Sequence, residues 1–209
     1  MPRAAPARAA APSRFDRRRR ENRAALLEAA LELFQQQGVR ATRLEEICER
    51  ADVAPRTFFN HFETREHLYQ ALAEQRAGQM AVLLDALAND PRPLAERLAE
   101  LFAQIGEYLA ARPPYRELVA EMLHVRVGGK SETVRRGALG QALLRFVKRG
   151  VARGEIGHRH RPEVLADLLL GALTTALANW SAGEAYDLPR ELARSARALL
   201  DLFTLPEPT

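Results

Sequence analysis

A single cysteine, Cys48, stands in 209 residues, so no disulfide can close within the chain and a reducing compartment is implied. Lysine is almost missing: Lys130 and Lys148 are the two examples, and the arginine preference that replaces them carries no functional information. Long apolar runs are missing too. The most apolar stretch, within 161–182, is interrupted by Asp167 before it reaches the roughly 20 residues a membrane span needs, so no membrane partner is expected. The basic N-terminal segment lacks an apolar core of the secretory kind, and the expected location is the cytoplasm. No nucleophile elbow, P-loop, Rossmann glycine pattern or HExxH occurs. His158 and His160 sit in an Arg-rich loop without thiol or carboxylate companions at ligand spacing, and His61 and His67 are no better placed. An enzyme, a metal site and a cofactor are therefore not expected. No alternating strand pattern is present either, which leaves an all-α fold.

Residues 42–65 carry the strongest signal. Leu44, Ile47, Cys48 and Ala51 recur at i, i+3, i+4, i+7, the inner stripe of a short helix, and Thr42 with Glu45 has the spacing of a capping box. Ala54-Pro55 marks a second helix start, because proline at the first helical position gives up an N–H that would be unpaired anyway; Val53 is placed to staple onto Phe58. Rotation by about 100° per residue puts Phe58, Phe59 and Phe62 on a core side and Arg56, Thr57, Asn60 and His61 on a polar side. Two short helices with a tight turn and a polar second helix are the build of a helix-turn-helix reader of DNA. Arginine pairs bidentately with guanine and asparagine with adenine, while Thr and His suit phosphate oxygens. An ordinary solvated helix face has the same composition.

Upstream, Leu27, Ala30, Leu31 and Phe34 form another stripe that Gly38-Val39 ends. Downstream, Thr64 caps a long helix that Asn89-Asp90-Pro91 stops. Residues 1–65 hold thirteen Arg against nine acidic residues, whereas the rest of the chain is balanced at eighteen of each; all the excess positive charge lies at the helix-turn-helix end. Residues 1–19 read as a disordered Arg-, Ala- and Pro-rich tail, with Arg17, Arg18, Arg19 and Arg20 ending it as either a solvated run or an arm on phosphates.

The segment A-A-L-E-L-F-Q-Q-Q-G-V-R-A-T-R-L-E-E-I-C-E-R-A-D-V-A-P-R-T-F-F-N-H-F-E-T-R-E-H-L resembles the N-terminal domain of the TetR family of bacterial transcriptional regulators, over about residues 20–72. The resemblance implies an N-terminal three-helix DNA-binding head (20–66) and a larger C-terminal helical domain for effector binding and dimerisation (67–205). It further implies a ligand-responsive regulator, a repressor, that binds a palindromic double-stranded DNA operator as a homodimer and is released by a small-molecule effector. Thr42, Arg43, Arg56, Thr57, Phe59, Asn60, His61 and Arg65 fall where family members touch DNA. Asp52 replaces a common turn glycine, which its αL access allows; Ala54 replaces a common serine cap; Phe59 replaces a common tyrosine and, lacking the hydroxyl, reads as a packing residue. A sequence-tolerant architectural DNA binder without an effector, and an interaction adaptor on the same scaffold, are the rival readings.

In the larger domain the periodicity predicts helices over 65–88, 92–111, 113–126, 131–153, 161–182 and 188–204, with prolines at the joins. The helix at 161–182 is apolar nearly all round, so it is buried in a core or an interface. Leu165, Leu169 and Leu173 on it, with Leu192, Leu199 and Leu200 on the last helix, are the expected dimer contacts. Large side chains on the surrounding helices, Phe102, Ile105, Tyr108, Tyr115, Met122, His124, Phe146 and Trp180, are the candidates for a partly apolar effector pocket.

Overall fold

The computed structural model describes residues 13–127 and 137–204. Among them lie nine helices and no strand: α1 (Arg14–Gln37), α2 (Leu44–Arg50), α3 (Pro55–Phe59), α4 (Arg65–Asn89), α5 (Leu94–Ala110), α6 (Tyr115–Val127), α7 (Ala138–Ala152), α8 (Pro162–Ala182) and α9 (Leu188–Thr204). The expected start of α7 at 131 lies outside the described residues, as does the tail up to residue 12.

α1 begins earlier than its apolar stripe. Ser13 accepts the Asp16 amide at 3.1 Å, and the Asp16 carboxylate accepts the Ser13 amide at 3.2 Å. That reciprocal cap places Arg14–Arg20 in the first two turns of a helix instead of in a tail. At its other end Gly38 takes φ +83°, a left-handed backbone that favours glycine.

α2 also starts one residue later than the capping-box spacing implied. Arg43 is the N-cap, and its amide donates to the Glu46 carboxylate at 2.7 Å. Thr42 is instead buried, its hydroxyl donating to the Gly38 carbonyl at 2.7 Å. The turn between α2 and α3 puts Asp52 at φ +52°, the left-handed conformation that Asp tolerates better than most residues. Leu26, Leu27, Ala30, Phe34, Ile47, Cys48, Phe58, Phe62 and Leu68 close the head's core.

α4 leaves the head and becomes a wall of the second domain, lying along α6 and α7; α5 lies along α9, and α8 is embraced by α6, α7 and α9. At Gly106 on α5 an added Cβ would stand 2.9 Å from the Pro189 Cα, so the approach of α9 requires glycine there. Arg97 is wholly buried between these layers. Its guanidinium pairs with Glu155, donates to the Leu87 and Arg92 carbonyls and lies 5.7 Å from the Phe146 ring centroid, satisfying a charge that would otherwise be prohibitive inside a core.

α8 runs unbroken through Asp167 for 21 residues and is long and apolar enough, by length and composition, to cross a membrane. In the structure it is a packed helix: Leu165, Ala166, Leu169, Leu170, Leu173, Ala176 and Trp180 are buried against its neighbours.

Candidate nucleic-acid interface and effector cavity

α3 is short because Pro55 opens it and Asn60 already caps it. Its exposed surface carries Arg56, Phe59 and Asn60, flanked by half-buried Thr57 and His61 and by exposed Arg43 at the head of α2. Phe59 departs from the sequence expectation. It is 55% exposed, edge-on to Phe58 at 5.5 Å, and belongs to the outward face beside Arg56 and Asn60. Two further expected contacts are engaged inside the head. Thr42 has no free surface, and the half-buried Arg65 donates its guanidinium to the Thr42 carbonyl, tying the start of α4 to the start of α2.

Arg17, Arg18, Arg19 and Arg20 are all exposed on the first turns of α1. This basic end lies beside the C-terminus of α3. Arg23 stacks over the Phe62 ring at 5.2 Å, and burial, followed by the charges of Arg19 and Arg23, pushes the His61 pKa below its usual 6.5. Cys48 is buried, and burial followed by the Glu45 charge raises its thiol pKa, so it stays protonated as a small apolar core group.

The second domain holds a cavity of about 380 Å³, open to solvent on one side, between α4, α5, α6, α7 and α8. Of the expected pocket residues, Ile105, Tyr108, Tyr115 and Met122 line it. Phe102, Phe146, His124 and Trp180 do not. Phe102 and Phe146 are core; His124 is exposed on α6. Trp180 is a structural joint, with Arg116 stacked on its ring at 4.7 Å and hydrogen-bonded to its carbonyl. The wall is completed by residues that were not among the expected pocket residues, among them Arg76, Gln79, Met80, Gln104, Leu118, Leu139 and Thr174. Leu173, expected at a dimer contact, faces the cavity.

Leu165, Leu169, Leu192 and Leu199 are buried within one chain, and Leu200 is half-buried against the same core. An all-round apolar helix has a second face, however: Val164 is 46% and Leu168 42% exposed, in line with exposed Gly171, Thr175 and Ala178.

One contact joins the two domains at long range. Glu117, on the cavity-lining helix α6, accepts the amides of Val39 at 2.9 Å and Arg40 at 3.0 Å in the loop after α1. Arg40 adds a looser ion pair at 3.9 Å.

A helix-turn-helix head fused through one long helix to a cavity-bearing helical body defines a two-domain helix-turn-helix protein. Residues 26–72 match the family model described as bacterial regulatory proteins, tetR family. The chain is 36% identical over 138 residues to the HTH-type transcriptional regulator TcmR of Streptomyces glaucescens, a match covering 66% of this chain and 53% of TcmR. It spans about half the length of TcmR and about a third of that of the HTH-type regulators YvkB of Bacillus subtilis and RutR of Escherichia coli. Two solved structures share the fold. The Thermus thermophilus repressor FadR, solved with lauroyl-CoA, superposes with a TM-score of 0.67 at 24% identity, covering 89% of this chain and 97% of FadR. RolR, solved with resorcinol, superposes with a TM-score of 0.63 at 21% identity, covering 92% of this chain and 98% of RolR. The likeness to the TetR family is thus one of sequence over the helix-turn-helix head, residues 26–72, and one of fold over the rest of the chain.

Proposed function

We propose that this protein is a cytoplasmic, ligand-responsive transcriptional repressor that binds a palindromic operator as a homodimer and is released by a small, partly apolar effector. The observation that carries the reading is the outward face of α3, where Arg56 and Asn60 stand clear of all core contacts, with the basic turns of α1 alongside. Base reading by the first pair and phosphate contact by the second divide specificity from affinity. The cavity supplies an effector site, and FadR and RolR, of the same fold, were solved with lauroyl-CoA and resorcinol. Two links carry its state to the head: α4, continuous from Arg65 to the cavity wall, and the Glu117 bridge from α6.

Dimerisation uses the outer face of α8 through Val164 and Leu168, whose neighbours Gly171, Thr175 and Ala178 are small enough for close helix approach. A two-fold pair sets two recognition helices on successive major grooves, about 34 to 36 Å apart.

Arg56→Ala tests the base-reading role. Affinity for the operator is expected to fall by ~1 to 3 kcal/mol with relaxed preference at one base position, while affinity for random duplex at the same salt is unchanged. Equal losses on both duplexes would make Arg56 a phosphate contact and favour the architectural reading.

A further inference from the structure

We propose that the cavity's ligand is an amphipathic anion, an aromatic or branched apolar body carrying a carboxylate, sulfonate or similar acid group that pairs with Arg76. The proposal rests on the reading of the cavity as an effector site. Arg76 is the single charged side chain among the residues lining the cavity. Its guanidinium donates to Gln79 at 2.8 Å and lies 5.8 Å from the Tyr108 ring centroid, and among the described residues it meets no carboxylate. Four other arginines of this domain are matched with acids, Arg92 with Asp90 at 2.7 Å, Arg145 with Asp85 at 2.8 Å, Arg194 with Glu191 at 2.6 Å, and Arg97 with Glu155, while Arg112, Arg116 and Arg153 donate to backbone carbonyls and, unlike Arg76, do not line the cavity. A half-buried arginine without an acid in a mostly apolar wall has no counter-charge, so an incoming anion gains a charge-assisted pairing there.

The surroundings of Arg76 have the same polarity. Arg112 also packs on the Tyr108 ring, at 4.0 Å, and its Nε is buried without a hydrogen-bond partner. Tyr115, 6.1 Å from Tyr108 ring to ring, is buried, and burial followed by the neighbouring Tyr108 hydroxyl holds its pKa above the usual 10, so it stays a neutral phenol. The Arg76 guanidinium and the Tyr108 and Tyr115 phenols thus form one polar cluster in a cavity whose remaining wall is leucine, methionine, isoleucine, valine and alanine, with Gln79, Gln104 and Thr174. A cation is repelled at that cluster, and a strongly hydrated sugar or nucleotide has little that is polar along the rest of the wall to replace its water.

The test compares two dyes with the same aromatic body, 8-anilinonaphthalene-1-sulfonate and uncharged N-phenyl-1-naphthylamine, titrated by fluorescence against the full chain at matched salt. Wild type is expected to bind the sulfonate at least tenfold more tightly. Arg76→Gln is expected to weaken the sulfonate roughly ten- to hundredfold, as loss of a charge-assisted contact does, and to leave the neutral dye within about threefold. Arg76→Lys, which keeps the charge, should retain most of the preference. Ala77→Met, which narrows the cavity beside Arg76, should weaken both dyes. Absence of sulfonate binding, equal binding of the two dyes by wild type, a preference that survives Arg76→Gln, or indifference of both dyes to Ala77→Met would overturn the proposal. The titration contains no DNA, so its failure is distinguishable from failure of operator binding.

Discussion

Replacing Glu117 by Ala removes the acceptor for two amides of the loop between α1 and α2, at 2.9 and 3.0 Å. A hydrogen bond to a charged acceptor contributes about 1.5 to 3 kcal/mol when shielded. The Glu117 side chain is 40% exposed, so water competes and about 1 kcal/mol for each amide is the reasonable share. The expected loss is ~2 kcal/mol, or roughly 4 to 8 °C in Tm for a chain of this length. Arg40→Ala is the control: its side chain is 90% exposed and 3.9 Å from the carboxylate, so its removal should change stability very little. Amide hydrogen exchange gives the local readout. Protection at Val39 and Arg40 should fall in Glu117→Ala, and the effector should then release DNA less completely, because one of its two links to the head is gone. If Arg40→Ala costs as much as Glu117→Ala, or exchange at the two amides does not change, the bridge is a surface ion pair and the coupling role assigned to Glu117 is wrong.

Arg97→Met should destabilise the chain by about 3 kcal/mol in chemical denaturation, at the low end for breaking a buried pair because Glu155 is 23% exposed and reached by water; a loss under about 1 kcal/mol would show that apolar packing alone suffices there. Asp90 accepts from the Arg92 side chain and amide, which lowers its pKa from 3.8 to about 2. A carboxyl depressed in the folded state stabilises above its unfolded pKa and loses that contribution as pH falls toward 2, so Asp90→Asn should flatten the acid limb of stability between about pH 4 and 2; an unchanged limb would mean the pair persists on unfolding. Leu168→Glu should give a folded monomer by light scattering, whereas Leu173→Glu should unfold the chain through its core, and a stable Leu168→Glu dimer would move the interface off α8.

The helix-turn-helix was legible because its signals are local. Pro55 and Asp52 fix a helix start and a left-handed turn within a few residues, and the structure has both. Phe59 was misplaced since a five-residue helix ends before the rotation rule has a full pattern to work on. The inward face of α8 was not legible for another reason: an all-round apolar helix offers no polar strip to say which face turns inward, so Leu165 and Leu169, buried within one chain, could not be told from the exposed Val164 and Leu168. Large residues drew the pocket prediction toward Phe102, Phe146 and Trp180, yet large residues fill cores, and the cavity remains where Met80, Leu118 and Thr174 leave space. Arg76 on a long helix looks like any solvated residue until the neighbouring helices are in place. Glu117 reaches a partner 78 residues away, a pairing that no local pattern contains.

Selection of bound duplexes from a randomised pool, followed by affinity measurement of the enriched and scrambled sequences at one salt concentration, tests the central claim most directly. The expected result is an inverted repeat with half-sites spaced by one helical turn or a multiple of it, bound by two chains at least about a thousandfold more tightly than the scrambled duplex. Enrichment of no sequence, with equal affinity for both duplexes, would contradict the assignment of this chain as an operator-reading regulator.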